Sequence, residues 1–322
     1  EPKKWFVLRE AFNLQVATSP FIAFTGAACP APCEDACTES IPQHLLEKIN
    51  AALGKDEKKD GEPVQIKDIE YLLFQLGRYM GWFEEEPKSW KKNEIDQVFG
   101  SLENYDLYLE QMENFQPVFA KPTKKNLHRV VLVGSGPAAM QIAYEALQDG
   151  KTVEMYEMSD KPGGLLMDGI PVHKYSKEIV YWYFKQLKKM GLRLHLNSEV
   201  YYNETFQSFH VKEQERHIAT GNNEFEQVVL CVGAGKPREL PPAVTEKLNP
   251  EQKTQIVQAI DFLKASNDIA EELANRGFKS FDNLDSSETA QAESIIEKHL
   301  GSMDPRGKRI TLIGGGDTAQ DA

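Results

Sequence analysis

The segment RVVLVGSGPAAMQIAYEALQDGKTVEMYE, residues 129–157, constrains the fold of this chain more than any other. A short apolar run at Val130–Val133 reads as a buried strand and leads directly into Gly134-Ser135-Gly136-Pro137-Ala138-Ala139, which fits G-x-G-x-x-A. The residues that follow have helical periodicity, with Ala139, Ile142, Ala143, Ala146 and Leu147 on one side, and a second strand ends at Glu157. Each small residue has a physical task in such a βαβ unit. Gly134 allows the tight turn, Gly136 lets the main chain approach a pyrophosphate, and Ala139 permits close helix–strand packing. The pyrophosphate then meets the N-terminus of the helix, where free N–H groups and the helix dipole favour negative charge. An acid is needed about 20 residues on to hold a ribose hydroxyl, and Glu157 follows Ala139 by 157 − 139 = 18 residues. A lone glycine pattern is weak, but here strand, turn, helix, strand and terminal acid occur in order.

The fingerprint spacing does not separate FAD from NAD. The next segment, Lys161-Pro-Gly163-Gly164-Leu165-Leu-Met-Asp-Gly169-Ile-Pro171, is a second glycine-rich turn. Either it is a surface loop, or its glycines let the main chain pass close to a bulky ligand such as extended FAD. Near the C-terminus Gly314-Gly-Gly316-Asp317-Thr318-Ala319 repeats the pattern after a strand read at Arg309–Ile313. Two signatures point to two nucleotides, a bound flavin and an exchangeable nicotinamide. Only the first part of the second unit is present, so NADH and NADPH are not distinguished.

Around these motifs the chain divides by texture. Residues 1–125 read as mainly helical, with Ile66, Ile69, Leu73, Leu76 and Met80 on one apolar face and a charged loop from Leu53 to Glu62. Residues 97–127 mix aromatics with prolines and end as a linker. Residues 126–245 form the dinucleotide domain, with strand-like runs at HVKEQE, HIAT and EQVVLCVG. Residues 246–306 read as a helical, solvated insertion, with Asp285 and Glu288 fitting a capping box and Gly301 the helix stop. Residues 307–322 start a second dinucleotide domain. The chain begins at Glu1 and stops at Ala322 within a signature, and so reads as an excerpt of a longer protein.

Composition narrows the partners. The net charge is 37 − 49 = −12, which argues against nucleic acid or anionic membrane as a main partner. No apolar run is long enough to span a bilayer, no signal-peptide pattern opens the chain, and a cytoplasmic protein is expected. Cys29, Cys33 and Cys37 form C-x3-C-x3-C, which in such a chain suggests iron–sulfur or metal ligation more than a disulfide, the alternative being free thiols. Cys231, in an apolar strand, reads as a packed core residue. The sequence has no C-x-x-C, so a dithiol–disulfide mechanism has no residues to carry it. No histidine is singled out, and no general acid or base is assigned.

Taken together the motifs resemble the small (beta) subunit of NADPH-dependent glutamate synthase and its relatives, a family that includes the N-terminal half of dihydropyrimidine dehydrogenase. The resemblance covers nearly the whole chain and rests on FTGAACPAPCEDAC, PVQIKDIE, VVLVGSGPAAMQIAYEAL, GGLLMDGIPVHK, VVLCVGAGKPRELP, AIDFL and ITLIGGGDTAQDA, all in the family's order. It implies an α/β protein in which a helical iron–sulfur domain with two 4Fe–4S clusters precedes a Rossmann-like FAD domain and an NADPH domain. Electrons would pass from NADPH to FAD and through the clusters to a large catalytic subunit or another acceptor protein. By position, Cys29 and Cys33 would ligate one cluster and Cys37 the other, with Glu70 as a non-cysteine ligand or else a solvated helix carboxylate. Glu157 would hold the FAD ribose, Gly163, Gly164 and Leu165 would line the flavin site, and Lys174 would reach an FAD phosphate. Gly314, Gly316, Asp317 and Thr318 would form the NADPH turn. Departures are clear: the family's first cysteine group, its FAD-closing segment and most of its NADPH domain are absent. Val232 stands where the family has Thr, and segments 40–62 and 261–306 look longer than usual. Two other readings stay open, a stand-alone FAD/NADPH reductase of the ferredoxin-reductase sort and a non-catalytic flavin-retaining assembly module.

Overall fold

The computed structural model describes residues 2–35, 48, 51–52, 64–83, 88–112, 116–212, 216–220, 226–234, 239–278 and 284–313. Cys37, the 53–62 loop and the second fingerprint from Gly314 onward lie outside the described residues. The chain forms two compact units, Glu1–Ala120 and Lys121–Ala322.

The first unit is helical: α1 (Pro2–Thr18), α2 (Ile22–Ala28), α3 (Pro32–Asp35), α4 (Ile66–Met80), α5 (Lys92–Val98) and α6 (Leu102–Met112). Its core is aromatic. Phe12 meets Phe83 edge-on at 4.9 Å, and Trp82, fully buried, donates its indole N–H to Tyr108 Oη at 3.0 Å. Small residues set how closely the helices approach. A Cβ on Gly26 of α2 would lie 2.5 Å from the Tyr71 backbone nitrogen of α4, and one on Gly77 would lie 2.5 Å from the Phe12 ring. The apolar face of α4 differs at its start from the periodicity reading. Leu73, Phe74, Gly77 and Met80 are buried, whereas Ile66 and Ile69 are each 48% exposed. Within the stretch where aromatics and prolines mix, residues 102–112 form α6, and the Phe99 and Tyr108 ring centroids lie 5.0 Å apart. Phe99 and Tyr108 are core residues, and burying such rings supplies much of the unit's apolar area.

The second unit is an α/β assembly. Strands β1 (Arg129–Val133), β2 (Thr152–Tyr156), β3 (Arg193–His195) and β7 (Glu226–Leu230) form a parallel sheet in the order β3-β2-β1-β7. The helix α7 (Pro137–Gln148) follows β1 and packs on β1 and β2, and α9 (Glu178–Met190) packs on α7. Both helices present apolar stripes, Ala139, Met140, Ala143, Ala146 and Leu147 in α7 and Val180, Tyr183, Phe184, Leu187 and Met190 in α9. Val131 and Tyr156 pack against Val211, Ile218 and Ala219 of the antiparallel sheet formed by β4 (Val200–Asn203), β5 (Ser208–Val211) and β6 (Arg216–Ala219). Charges near this packing are paired. Arg129 donates to Glu154 at 2.9 Å, to Glu226 at 2.5 Å and to Ile218 O at 2.7 Å.

The one-turn helix α8 (Leu165–Asp168) lies between β2 and α9 in sequence. After β7 come the short α10 (Pro242–Thr245) and α11 (Pro250–Thr254), then α12 (Ala259–Asn275) and α13 (Ser286–Leu300). The last two pair around Leu273, Ala292 and Ile295. The capping box of Asp285 with Glu288 and the Gly301 stop form as their sequence signals require. Two sequence expectations fail here. Arg309–Ile313 forms no strand, and its Ile310, Leu312 and Ile313 are 59–69% exposed; a parallel strand needs a neighbour for its N–H and C=O groups. Cys231 is partly exposed rather than core, because it follows the last residue of β7 at the sheet's end.

Candidate functional site at the carboxyl end of the parallel sheet

The carboxyl ends of β1 and β2 stand side by side, with Val133 paired to Tyr156, and both strands run into the fingerprint residues. In open α/β sheets ligands bind at this end. Gly134 turns the chain at φ +99°, and its N–H donates to Tyr156 O at 2.8 Å. A Cβ there would sit 2.4 Å from Cys231 O, so the turn is wedged between β2 and the residue after β7. Gly136 is the N-cap of α7, with no side chain capping it, and Pro137 occupies the first turn where its missing N–H costs nothing. Nothing lies within 4 Å of where a Gly136 Cβ would be, which leaves open space at the helix N-terminus. Pro137 and Ala138 are exposed beside it, while Ala139 is fully buried under the helix.

Glu157 is 7% exposed and accepts three hydrogen bonds from Ser135 and Ser159. Its Oε2 accepts the Ser135 backbone N–H at 3.0 Å and the Ser135 hydroxyl at 2.5 Å, and its Oε1 accepts the Ser159 N–H at 2.9 Å. A carboxylate offers about four lone-pair directions, so one remains for a hydroxyl donor. Ser135 Oγ in turn accepts the Gly163 N–H at 2.9 Å. One hydroxyl therefore joins the two glycine-rich turns. Their main chains also touch: a Cβ on Gly164, at φ +53°, would lie 3.3 Å from Gly136 Cα. The second turn is thus a partner of the first, and Leu165, 61% exposed, stands at its outer edge.

The carbonyls of α8 are all satisfied, as a buried one-turn helix requires. Leu165 O accepts the Gly169 and Ile170 N–H groups. Leu166 O accepts Tyr175 Oη–H at 2.6 Å and Lys177 Nζ at 2.7 Å. Asn267 Nδ2, from α12, donates to Met167 O, Asp168 O and Ile170 O at 2.9, 3.1 and 3.1 Å. Lys177 also donates to Ile170 O. Burial lowers the Lys177 pKa to about 8, with Asp168 acting in the opposite direction. Burial likewise raises the Asp168 carboxyl, against the attraction of Lys264. Sequence reasoning missed Lys177 and Asn267. Lys177 has a readable signal, because residues 177, 180, 184 and 187 share one buried stripe. Asn267 had none.

Beside the second turn is a cleft of about 360 Å³ lined by Ser159, Lys161, Asp168, Asp268, Glu271 and His299 among others. Lys161 crosses it to Asp268 at 2.7 Å and Glu271 at 2.5 Å. Lys174 lies, half-buried, in the turn after α8, where its N–H donates to Pro171 O at 3.1 Å.

In the helical unit, Cys29 follows the last turn of α2 and its sulfur accepts the Ala31 N–H at 3.4 Å, while Cys33 is exposed. Glu70 of α4 accepts from Gln15 Nε2 at 2.6 Å. Among the described residues no three Cys, His, Asp or Glu side chains come together as an ion would need. No helix among them is long and apolar enough to cross a membrane.

A parallel sheet with two interlocked glycine turns and a buried acid after its second strand is the arrangement of a dinucleotide-binding domain. Residues 128–322 match the family described as pyridine nucleotide-disulphide oxidoreductase, and the chain belongs to that family, whose members are NAD(P)H-dependent flavoproteins. The chain is 28% identical over 313 residues to the glutamate synthase [NADPH] small chain of Bacillus subtilis, covering 97% of this chain and 45% of that protein. It is 27% identical over 313 residues to the glutamate synthase [NADH] of Schizosaccharomyces pombe, of which it covers 11%. It spans under half the length of these relatives. A solved structure of a mutant FprA from Mycobacterium tuberculosis superposes with a TM-score of 0.31 at 24% identity, over 44% of this chain and 29% of that one, too slight a likeness to inform the fold.

Proposed function

We propose that this chain is the electron-input part of a flavoprotein of the glutamate synthase small-chain kind, which takes electrons from NADPH on FAD and delivers them through 4Fe–4S clusters to a large catalytic subunit or another acceptor. The buried Glu157 carboxylate, set at the carboxyl end of the sheet beside an uncapped helix N-terminus with open space at Gly136, supports a dinucleotide, and the observation that favours FAD over NAD is the second glycine-rich turn, bound to the first through Gly163 N–H and Ser135 Oγ. Those residues fit the adenosine diphosphate half of FAD. Glu157 would accept a ribose hydroxyl. Ser135 and the Gly134–Ala139 backbone would face the pyrophosphate, with the dipole of α7 favouring its charge. Gly163, Gly164 and Leu165 would line the approach of the flavin ring, and Lys174 would neutralise a phosphate.

When bound, FAD accepts a hydride from a reduced nicotinamide and releases electrons singly, and this redox chemistry belongs to the cofactor. The chain's own contribution is position: it fixes the geometry of the two turns and of the Glu157 carboxylate between them. Gly314, Gly316, Asp317 and Thr318 are proposed to receive NADPH. Cys29, Cys33, Cys37 and Glu70 are proposed as cluster ligands on the family resemblance alone, since the described ones are not gathered around a common point.

The test is the visible absorption of the purified full-length protein before and after anaerobic NADPH. Flavin bands over a broad iron–sulfur background, both bleached by NADPH, are expected. Flavin without iron would instead favour a simple reductase, flavin that NADPH cannot bleach an assembly module, and no flavin would overturn the assignment.

A further inference from the structure

The helical insertion is fastened to the second glycine-rich turn at both ends of that turn. At its start Lys161 pairs with Asp268 and Glu271 of α12. At its end the Asn267 amide reaches Met167 O, Asp168 O and Ile170 O, and Lys264 lies 3.8 Å from Asp168. The two fastenings differ in kind. Lys161 and its partners are 26–28% exposed, so solvent and salt screen them. Asn267 is 6% exposed and spreads two N–H donors over three carbonyls. A one-turn helix does not persist by its own hydrogen bonds, and Met167 O and Asp168 O end α8 where no intrahelical donor reaches them.

We propose that Asn267 is a positioning residue for the flavin-facing turn: the insertion supplies the donor that holds α8, and through α8 the Gly163–Leu165 backbone. The path is continuous. Asn267 holds the last carbonyls of α8, Gly163 O and Gly164 O accept the Leu166, Met167 and Asp168 N–H groups, and Gly163 N–H is bound to Ser135 Oγ, which is bound to Glu157. For its ligand this rests on the flavin reading above; for the turn itself it does not.

The experiment compares full-length wild type, Asn267→Leu, Asn267→Asp and Lys161→Met by hydrogen exchange and by FAD titration. Asn267→Leu removes both donors at similar volume. It is expected to speed exchange of the Leu166–Ile170 amides and weaken FAD binding about tenfold each, equivalent to about 1.4 kcal/mol, while β1, β2 and α12 amides keep their rates. Lys161→Met is expected to change either quantity less than twofold, in line with an exposed pair. Asn267→Asp sets a carboxylate against three carbonyls near neutral pH. Protonation turns it into a donor, so its deficit relative to wild type shrinks as the pH is lowered, a recovery that filling space alone does not give. That variant also decides the matter if Asn267→Leu does not fold. Unchanged exchange at 166–170, or acceleration spread evenly over the whole unit, overturns the proposal. Failure of wild type to bind FAD removes the flavin reading, and the exchange comparison still decides the role of Asn267.

Discussion

Ser135 and Glu157, 22 residues apart, are bound to each other twice, since both the N–H and the hydroxyl of Ser135 donate to Glu157 Oε2. The serine hydroxyl also receives the Gly163 N–H, so one small side chain closes the acid, the first turn and the second turn into a unit. The usual account of such a fingerprint gives its second residue no task. Here that residue orients the acid.

Ser135→Ala therefore leaves Glu157 with one donor fewer and the Gly163 N–H without its acceptor, a cost of about 1–3 kcal/mol for a buried unsatisfied group. Urea denaturation should show that loss, and FAD should bind more weakly than to wild type. An unchanged midpoint with unchanged affinity would show that the hydroxyl is dispensable.

The two fingerprint glycines are expected to fail differently. Gly134→Ala puts a Cβ 2.4 Å from Cys231 O at φ +99°, so strain and overlap together should cost at least about 2 kcal/mol. Gly136→Ala meets nothing within 4 Å and has φ −68°, so stability should change by less than about 1 kcal/mol while FAD binding is lost. Thermal melting with flavin titration on both variants separates these outcomes.

Lys177 gives a pH dependence of definite sign. Burial sets its folded pKa at about 8 against the ordinary 10.5. Below about 8 the folded protein carries the desolvated ammonium in full. As pH rises from there to 10.5 the folded state loses that proton before the unfolded chain does, so stability rises. Urea midpoints of wild type should therefore gain on those of Lys177→Met across this range. A constant difference between the two would show that Lys177 is not desolvated.

Gly26→Val is the corresponding test of the helical unit. Its side chain would enter the space held by the Tyr71 backbone, and overpacking of this kind costs about 1–3 kcal/mol. The Trp82 fluorescence transition should move to lower denaturant, and iron content should fall if Cys29 and Glu70 ligate a cluster.

What was legible in the sequence is what is local. The run from Arg129 to Glu157 holds its strand, turn, helix and acid within one stretch, and Asp285, Glu288 and Gly301 announce a helix through their immediate neighbours. Lys177 was legible in principle as a charge on an apolar stripe. Asn267 was not, because its partners are about a hundred residues away and an asparagine on a polar helix carries no mark of burial. The burial of Phe99 and Tyr108 was not legible for a related reason: aromatic residues declare their burial only once Phe99, Tyr105 and Tyr108 have one another to pack against.

The distance between Asn267 and α8 also orders events during synthesis. Met167 leaves the ribosome 100 residues before Asn267, which at about 5–20 residues per second is about 5–20 s. For that interval the first βαβ unit can form with its second turn still unfastened. On the proposed role of Asn267, capture of a dinucleotide in its final geometry is a late step, reached only after the insertion has been made and has folded back.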